Sequence, residues 1–274
     1  VGGLTSVAHV GRDVVHLLNV STTNELVRSN VSSGIATITL DSSSNRNALS
    51  GRLVSELLDS LQQALDADDV HAIVLTATGT VFCSGADLTD PPSNERGSRF
   101  SYPDVLSTIM TSPKPVVAVL NGHARAGGLG LVAVCDIAIA PSDANFAFTE
   151  VRLGVVPAII AVVCRRVMDR RAFSRYSITG ETFTAQDAVT AGLLTAVADR
   201  NEIDATVARV LDDLHRTEPT AVAQTKVLLD VLAEMTVEEG FAHASELSAR
   251  FFDSANGREG IAAFRERRPP SWAW

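Results

Sequence analysis

Val116-Val117-Ala118-Val119-Leu120-Asn121-Gly122-His123-Ala124-Arg125-Ala126-Gly127-Gly128-Leu129-Gly130-Leu131-Val132-Ala133-Val134-Cys135-Asp136-Ile137-Ala138-Ile139-Ala140 decides the fold. It holds a short apolar run, a glycine-rich turn, an apolar helical stretch and a second short apolar run. Runs of four or five apolar residues bounded by turn signals suit strands buried on both faces, which is how parallel strands read. Pro113-Lys114-Pro115 breaks into the first run, and a helix is expected from about Gly128 to Val134. Strand, helix and strand in that order predict a crossover connection in a mostly parallel sheet, and with it an α/β fold.

The same alternation extends towards the N-terminus. Ala36, Ile38 and Leu40 fall on one face of a strand after the turn Ser32-Ser33-Gly34, so a hairpin opens the domain near Glu25. Ser50 is placed to cap a helix with Leu53, Val54, Leu57, Leu58, Leu61 and Leu65 at helical spacing. Ile73-Val74-Leu75 gives the next buried strand, and a stretch from Ser84 to Tyr102 leads to a helix around Asp104 to Met110. Residues 1–24, with Gly2-Gly3 and scattered His9 and His16, read as a loosely attached, poorly ordered extension. Towards the C-terminus the strand signal fades after Glu150. Thr184-Ala185-Gln186-Asp187 resembles a capping box, and Gly192 suits a helix C′ position. From Ile203 to Arg268 three helical patterns are expected, broken at Glu218-Pro219-Thr220 and at Asn256-Gly257. The expected organisation is thus an extension 1–24, an α/β core 25–202 and a helical region 203–274, with no linker marking a second domain.

Composition narrows the function. The chain has 274 residues, with 23 Lys and Arg against 32 Asp and Glu, a net charge of −9. With no offsetting basic stretch, a large phosphate-neutralising surface and hence a nucleic-acid partner are poor expectations. No apolar run reaches the length of about 18 that spans a bilayer. Cys83, Cys135 and Cys164 are odd in number and far apart, which indicates neither a disulfide framework nor a metal site and suits a reducing cytoplasm.

Two glycine-rich segments follow predicted strands: Phe82-Cys83-Ser84-Gly85-Ala86-Asp87-Leu88 and Asn121 to Gly130. Both suit close approach of backbone to a ligand, although glycines also serve tight turns alone. A helix opening at Gly127-Gly128 would aim free N–H groups and its positive dipole end at a developing negative charge.

Here the sequence resembles a known family. Asn45-Arg46-Asn47-Ala48-Leu49, Phe82 to Leu88, Asn121-Gly122-His123-Ala124, Gly127-Gly128, Cys135-Asp136-Ile137 and Phe148-Thr149-Glu150-Val151-Arg152-Leu153-Gly154 are similar, in order, to the motifs of the crotonase (enoyl-CoA hydratase/isomerase) superfamily. The resemblance covers Glu25 to the C-terminus and includes Thr179-Gly180, Ala188, Gly192-Leu193 and Lys226. It implies a spiral of ββα units followed by a helical C-terminal trimerisation region, assembled as a homotrimer or dimer of trimers. It also implies an acyl-CoA thioester substrate with no separate cofactor and no metal. An oxyanion hole would be made by the backbone N–H groups of Ala86 and Gly127, and Glu150 would be the catalytic carboxylate.

One departure from the family pattern is Gly130, which stands where the two-glutamate hydratases carry their first acid. A single carboxylate suffices to move a proton between C2 and C4 of an enoyl thioester, whereas hydration also needs an oriented water. Gly127 to Ala133 and Thr149 to Ala158 are nevertheless similar to a bacterial branch associated with methylglutaconyl-CoA-type hydratases. Hydration of a 2-enoyl-CoA is therefore the favoured expectation. Isomerisation by Glu150 alone and a non-catalytic CoA-binding role are the alternatives. The resemblance further implies substrate contacts from Arg46, Ala48, Ser84, Gly85, Asp87, Leu88, His123, Gly128 and Gly130. Arg46 and the pair Arg267-Arg268 are candidates for CoA phosphates, or else ordinary solvated charges, and Asp136 reads as structural. Two readings from other classes are weaker. Gly128 to Ala133 satisfies G-x-G-x-x-A with Glu150 about 20 residues on, but Asn121 to Gly127 separates the glycines from the preceding predicted strand. Ser84, His123 and Asp136 offer hydrolase residue types without the G-x-S-x-G turn.

Overall fold

In the computed structural model residues 25–90 and 101–273 are described; the expected extension 1–24 lies outside them. The opening hairpin pairs β1 (Val27–Ser32) with β2 (Ile35–Leu40) in antiparallel register through Ser33 and Gly34, which both take positive φ (48° and 72°). Two positive φ values in a two-residue loop match the right-handed twist of the strands. β1 exposes most of its residues and forms the polar edge of the sheet.

Helix α1 (Gly51–Asp66) follows, with the Ser50 side chain accepting the Leu53 N–H as anticipated. β3 (Ala72–Ala77) and β4 (Val81–Cys83) come next, then α2 (Tyr102–Met110), β5 (Val116–Val119), β6 (His123–Arg125) and α3 (Gly127–Val134). β7 (Ile137–Pro141) and β8 (Asn145–Ala147) complete the repeating part. In each ββα unit from β3 onward the first strand enters a large sheet and the second a small one. The large sheet has the order β1-β2-β3-β5-β7-β10, parallel except for the opening hairpin. The small sheet has the order β4-β6-β8-β9, in which only β8 and β9 are antiparallel. Here β9 is Phe183–Thr184 and β10 is Ala196–Ala198. This mixed α/β architecture is the spiral that the resemblance implied.

The main core lies on one face of the large sheet, where Ile38, Leu53, Leu57, Leu61, Ile73 and Leu75 are fully or almost fully buried. On the opposite face α7 (Ile203–Leu214) lays Val207 and Leu211 against Ile35, Val74, Val117 and Ile139. Strands covered on both sides explain the continuous apolar runs. α3 is buried on every side apart from its first residue, so its uniform apolarity is that of a core helix.

Several expectations are corrected. Strands do not end at Glu150: β9 and β10 follow, along with α4 (Ala158–Val167), α5 (Arg170–Thr179) and α6 (Ala185–Thr190). The capping box at Thr184 and Asp187 does open α6, and Gly192 beyond it takes φ +83°. The C-terminal region has four helices rather than three: α7, α8 (Pro219–Leu232), α9 (Val237–Phe252) and α10 (Ala255–Glu266). The extra break comes from Thr236, which caps α9 reciprocally with Glu239. Asn256-Gly257 is not a break but the first turn of α10, whose cap is Ser254 accepting the Gly257 N–H at 2.9 Å. Finally, Asn121 to Gly127 is not all turn, because β6 occupies its middle and runs directly into α3.

Candidate active site

The two glycine-rich segments, far apart in sequence, meet in space. Leu49 donates to the Gly85 carbonyl (2.8 Å) and accepts from the Asp87 N–H (3.3 Å), forming a parallel bridge with Ala86. Those bonds use the groups flanking Ala86, so its own N–H faces the other way. A Cβ on Gly85, which has φ +90°, would lie 2.7 Å from the Ala126 Cβ and 3.2 Å from the Gly127 nitrogen. A Cβ on Gly127 would lie 3.6 Å from the Gly85 Cα and 2.7 Å from a Leu49 methyl. Glycine at both positions permits this approach of two backbones.

Gly127, as the first residue of α3, has no intrahelical acceptor for its N–H. Ala126 before it sits at φ 47°, ψ −121°, a conformation that costs a residue with a Cβ on the order of 1–3 kcal/mol. Its N–H is fixed to the Ala147 carbonyl at 3.0 Å, so β8 holds the strained entry to the helix. Gly128 lets α3 sit on β4, since a Cβ there would be 2.6 Å from the Cys83 carbonyl oxygen.

Glu150 begins a 3-10 turn, Glu150–Leu153, just beyond β8. That strand is anchored by Phe146 and Phe148, both buried against Phe183, with Phe173 edge-on to Phe148 at 5.3 Å. The carboxylate oxygen Oε2 of Glu150 is buried with no hydrogen-bond partner among the described residues. Burial raises its pKa above the ordinary carboxylate value, opposed by a bond from its own backbone N–H. Burial raises the Cys164 thiol and the Tyr102 phenol as well, and the Glu150 charge adds to both.

Tyr102 is the residue that sequence reading passed over, as the end of a loop. It is the first residue of α2, and Ser101 with Asp104, whose carboxylate accepts the Ser101 N–H at 2.7 Å, was the available signal. Its hydroxyl donates to the Gly127 carbonyl. Gly130 explains how it gets there: a Cβ at 130 would be 2.6 Å from the Tyr102 hydroxyl and 2.7 Å from an Ile160 methyl. The position that lacks an acid is therefore filled by a phenol.

The remaining candidates separate into those near this centre and those engaged elsewhere. Ser84 lies on the loop, its N–H donating to the Arg46 carbonyl (3.1 Å) and its hydroxyl to that of Asn45 (3.4 Å). Ala48 is buried, and Arg46 is exposed at φ 60°. Asp87 accepts both the N–H and hydroxyl of Thr89 and the Asn45 side chain, bonds that lower its pKa, while Leu88 is 73% exposed beside it. His123 is used in the frame: its Nδ1 accepts the Asn145 N–H at 3.1 Å, and burial lowers its pKa. Arg125 also grips Asn145, donating to its carbonyl at 2.6 Å. Asp136 is structural as read, accepting the Val116 N–H (2.7 Å) and pairing with Lys226 (2.6 Å). Ser84, His123 and Asp136 thus go to three separate partners and form no triad. Arg268 pairs with Glu259 and Glu266, which holds the Glu259 carboxyl down at about 2.

The match to the enoyl-CoA hydratase/isomerase family model spans residues 30–273. The chain belongs to that family. A provisionally named enoyl-CoA hydratase of Thermus thermophilus is 34% identical over 244 residues, covering 86% of this chain and 96% of its own. The mitochondrial enoyl-CoA hydratase domain-containing protein 3 of Danio rerio is 30% identical, with 88% and 85% covered. Among solved structures, an enoyl-CoA hydratase from Shewanella pealeana superposes with a TM-score of 0.83 at 31% identity, covering 90% of this chain and 96% of that one. Membership disposes of the dinucleotide-binding reading, as does the fold. The crossover from β5 to its parallel neighbour β7 does carry α3, but the strand that runs into the glycines is β6 of the small sheet, whereas a dinucleotide fingerprint has its glycines follow directly on a strand of the sheet that the crossover rejoins. No helix among the described residues is long and apolar enough to cross a membrane.

Proposed function

We propose that this family member is an enoyl-CoA hydratase in which Glu150 handles the proton over an oxyanion hole formed by the N–H groups of Ala86 and Gly127. The observation that carries the reading is Glu150 Oε2, buried and without a hydrogen-bond partner among the described residues, just beyond the strand whose Ala147 carbonyl holds the entry to Gly127. Leaving a carboxylate oxygen desolvated and unpaired costs stability, and such groups concentrate where proton transfer needs a raised pKa. With the thioester oxygen held by the two N–H groups, charge that develops as an enolate forms meets donors already in place. Glu150 as base takes a proton from water, the oxygen bonds to C3 as the C2–C3 π bond moves into the enolate, and Glu150 returns that proton to C2 as the enolate collapses, so one water is added across the double bond. The acyl-CoA thioester is the substrate and no further cofactor belongs to this reading. A homotrimer or dimer of trimers, housed in the cytoplasm, completes it; the free state of Cys83, Cys135 and Cys164 is consistent with that compartment.

Isomerisation is the second reading, favoured by Gly130, since one carboxylate is enough to shuttle a proton between C2 and C4. A panel of short, branched and long 2-enoyl-CoAs in water enriched with heavy oxygen separates the two. Hydration places the label in a 3-hydroxyacyl-CoA. Conversion of 3-enoyl-CoAs to 2-enoyl isomers, with no labelled product from any member, would replace hydratase by isomerase. No turnover at all would leave the CoA-binding role.

A further inference from the structure

We infer that Tyr102 is a positioning residue for the oxyanion hole: its hydroxyl, seated in the space that Gly130 leaves open, pins the first turn of α3 and so aims the Gly127 N–H. The inference rests on the oxyanion-hole reading above.

Gly127 and Gly128 open α3 without a side chain to hold them, directly after the strained Ala126. Glycine pairs have wide backbone freedom, whereas an oxyanion donor must be aimed to within a few tenths of an ångström. A tether from outside the helix is needed, and Tyr102 supplies it from α2. The ring edge lies along Gly127, where a Cβ would be 3.8 Å from Cε1, and the hydroxyl donates to the Gly127 carbonyl. The hydroxyl thereby reaches a carbonyl of the first turn of α3, a place open only where the facing helix position carries no Cβ. Gly130 meets that requirement, because its Cβ would be 2.6 Å from the hydroxyl oxygen. Tyr102 and Gly130 therefore form one device.

The test binds an enoyl-CoA whose acyl chain is a conjugated aromatic chromophore, because polarisation of the thioester carbonyl shifts its absorption to the red. The wild-type protein is expected to show the shift. Tyr102→Phe keeps the ring but removes the tether, and is expected to lose about half of the shift or more and to lower kcat by about tenfold with KM within twofold. Gly130→Ala pushes the hydroxyl out by a second route and should shrink the shift likewise. In the Tyr102→Phe background Gly130→Ala should shrink the shift little further, since the hydroxyl it displaces is gone, while its contact with the Ile160 methyl still lowers stability. Glu150→Gln should keep the full shift. A full shift in Tyr102→Phe with kcat within twofold of wild type would overturn the inference. Absence of any shift in the wild type would instead remove the oxyanion hole itself.

Discussion

At the scale of single residues, Glu150 holds a carboxylate where burial opposes its charge, and the consequences run with pH. Its folded pKa lies above the unfolded value. Between the two the folded chain keeps a proton that the unfolded chain has released, so this group's contribution to stability falls as pH rises through the window. Glu150→Gln removes the dependence. Thermal melts should show the variant gaining on the parent from about pH 4 to pH 8, with each kcal/mol appearing as roughly 2–4 °C in Tm. A constant Tm difference across that range would contradict the burial of charge at this site. The acid limb of kcat/KM should likewise sit above the ordinary carboxylate range. Gly85→Ala is expected to destabilise by about 2 kcal/mol or more, because the new Cβ meets both a positive φ and the Ala126 Cβ. Denaturant unfolding would read this directly. Glu150, Gly85 and Gly127 were legible as candidates in the sequence because an acid and two glycine-rich turns stood in a recognisable order, and the structure brings the two turns together. Tyr102 was not, since its place depends on space above Gly130 that exists only once α2 is docked on α3. His123 misled for the converse reason: imidazole suits an active site, yet here its Nδ1 ties β6 to β8.

At the scale of elements, capping and close packing set what α9 and α3 tolerate. Thr236→Ala removes a reciprocal cap and should cost about 1 kcal/mol, read as a drop in Tm with catalysis intact. Gly128→Ala should be worse, lifting α3 from β4 and lowering both stability and turnover. If Gly128→Ala left turnover within twofold, the fit of α3 on β4 would not matter to the site. Strand β2 was readable by its alternation, β3, β5 and β7 as short apolar runs, α1 by its helical spacing and Ser50 cap, and α3 as a uniformly apolar stretch after a glycine turn. β4, β6, β8, β9 and β10 span only two or three residues each, too few to show a period. α4 escaped for a different reason: Ile159 and Val162 are exposed while Ile160 and Val163 are buried, which blurs the stripe that marks an amphipathic helix.

At the scale of the whole molecule, apolar exposure points outward from the chain. Phe241, Phe252 and Phe264 are 71%, 65% and 86% exposed, and Val156, near Glu150, is 77% exposed. Side chains of this size are commonly covered in an oligomer. Light scattering at micromolar concentration should give the mass of three or six chains, and a monomer mass would refute the assembly. In the proposed reaction the chemistry on an enoyl thioester passes through Glu150, with the oxyanion hole where Gly85 meets Gly127. The most direct measurement compares Glu150→Gln with the parent for turnover of the best enoyl-CoA and for CoA affinity. A fall in kcat of about 10²-fold or more with CoA binding within twofold is the predicted result. Turnover within a fewfold of the parent would contradict it.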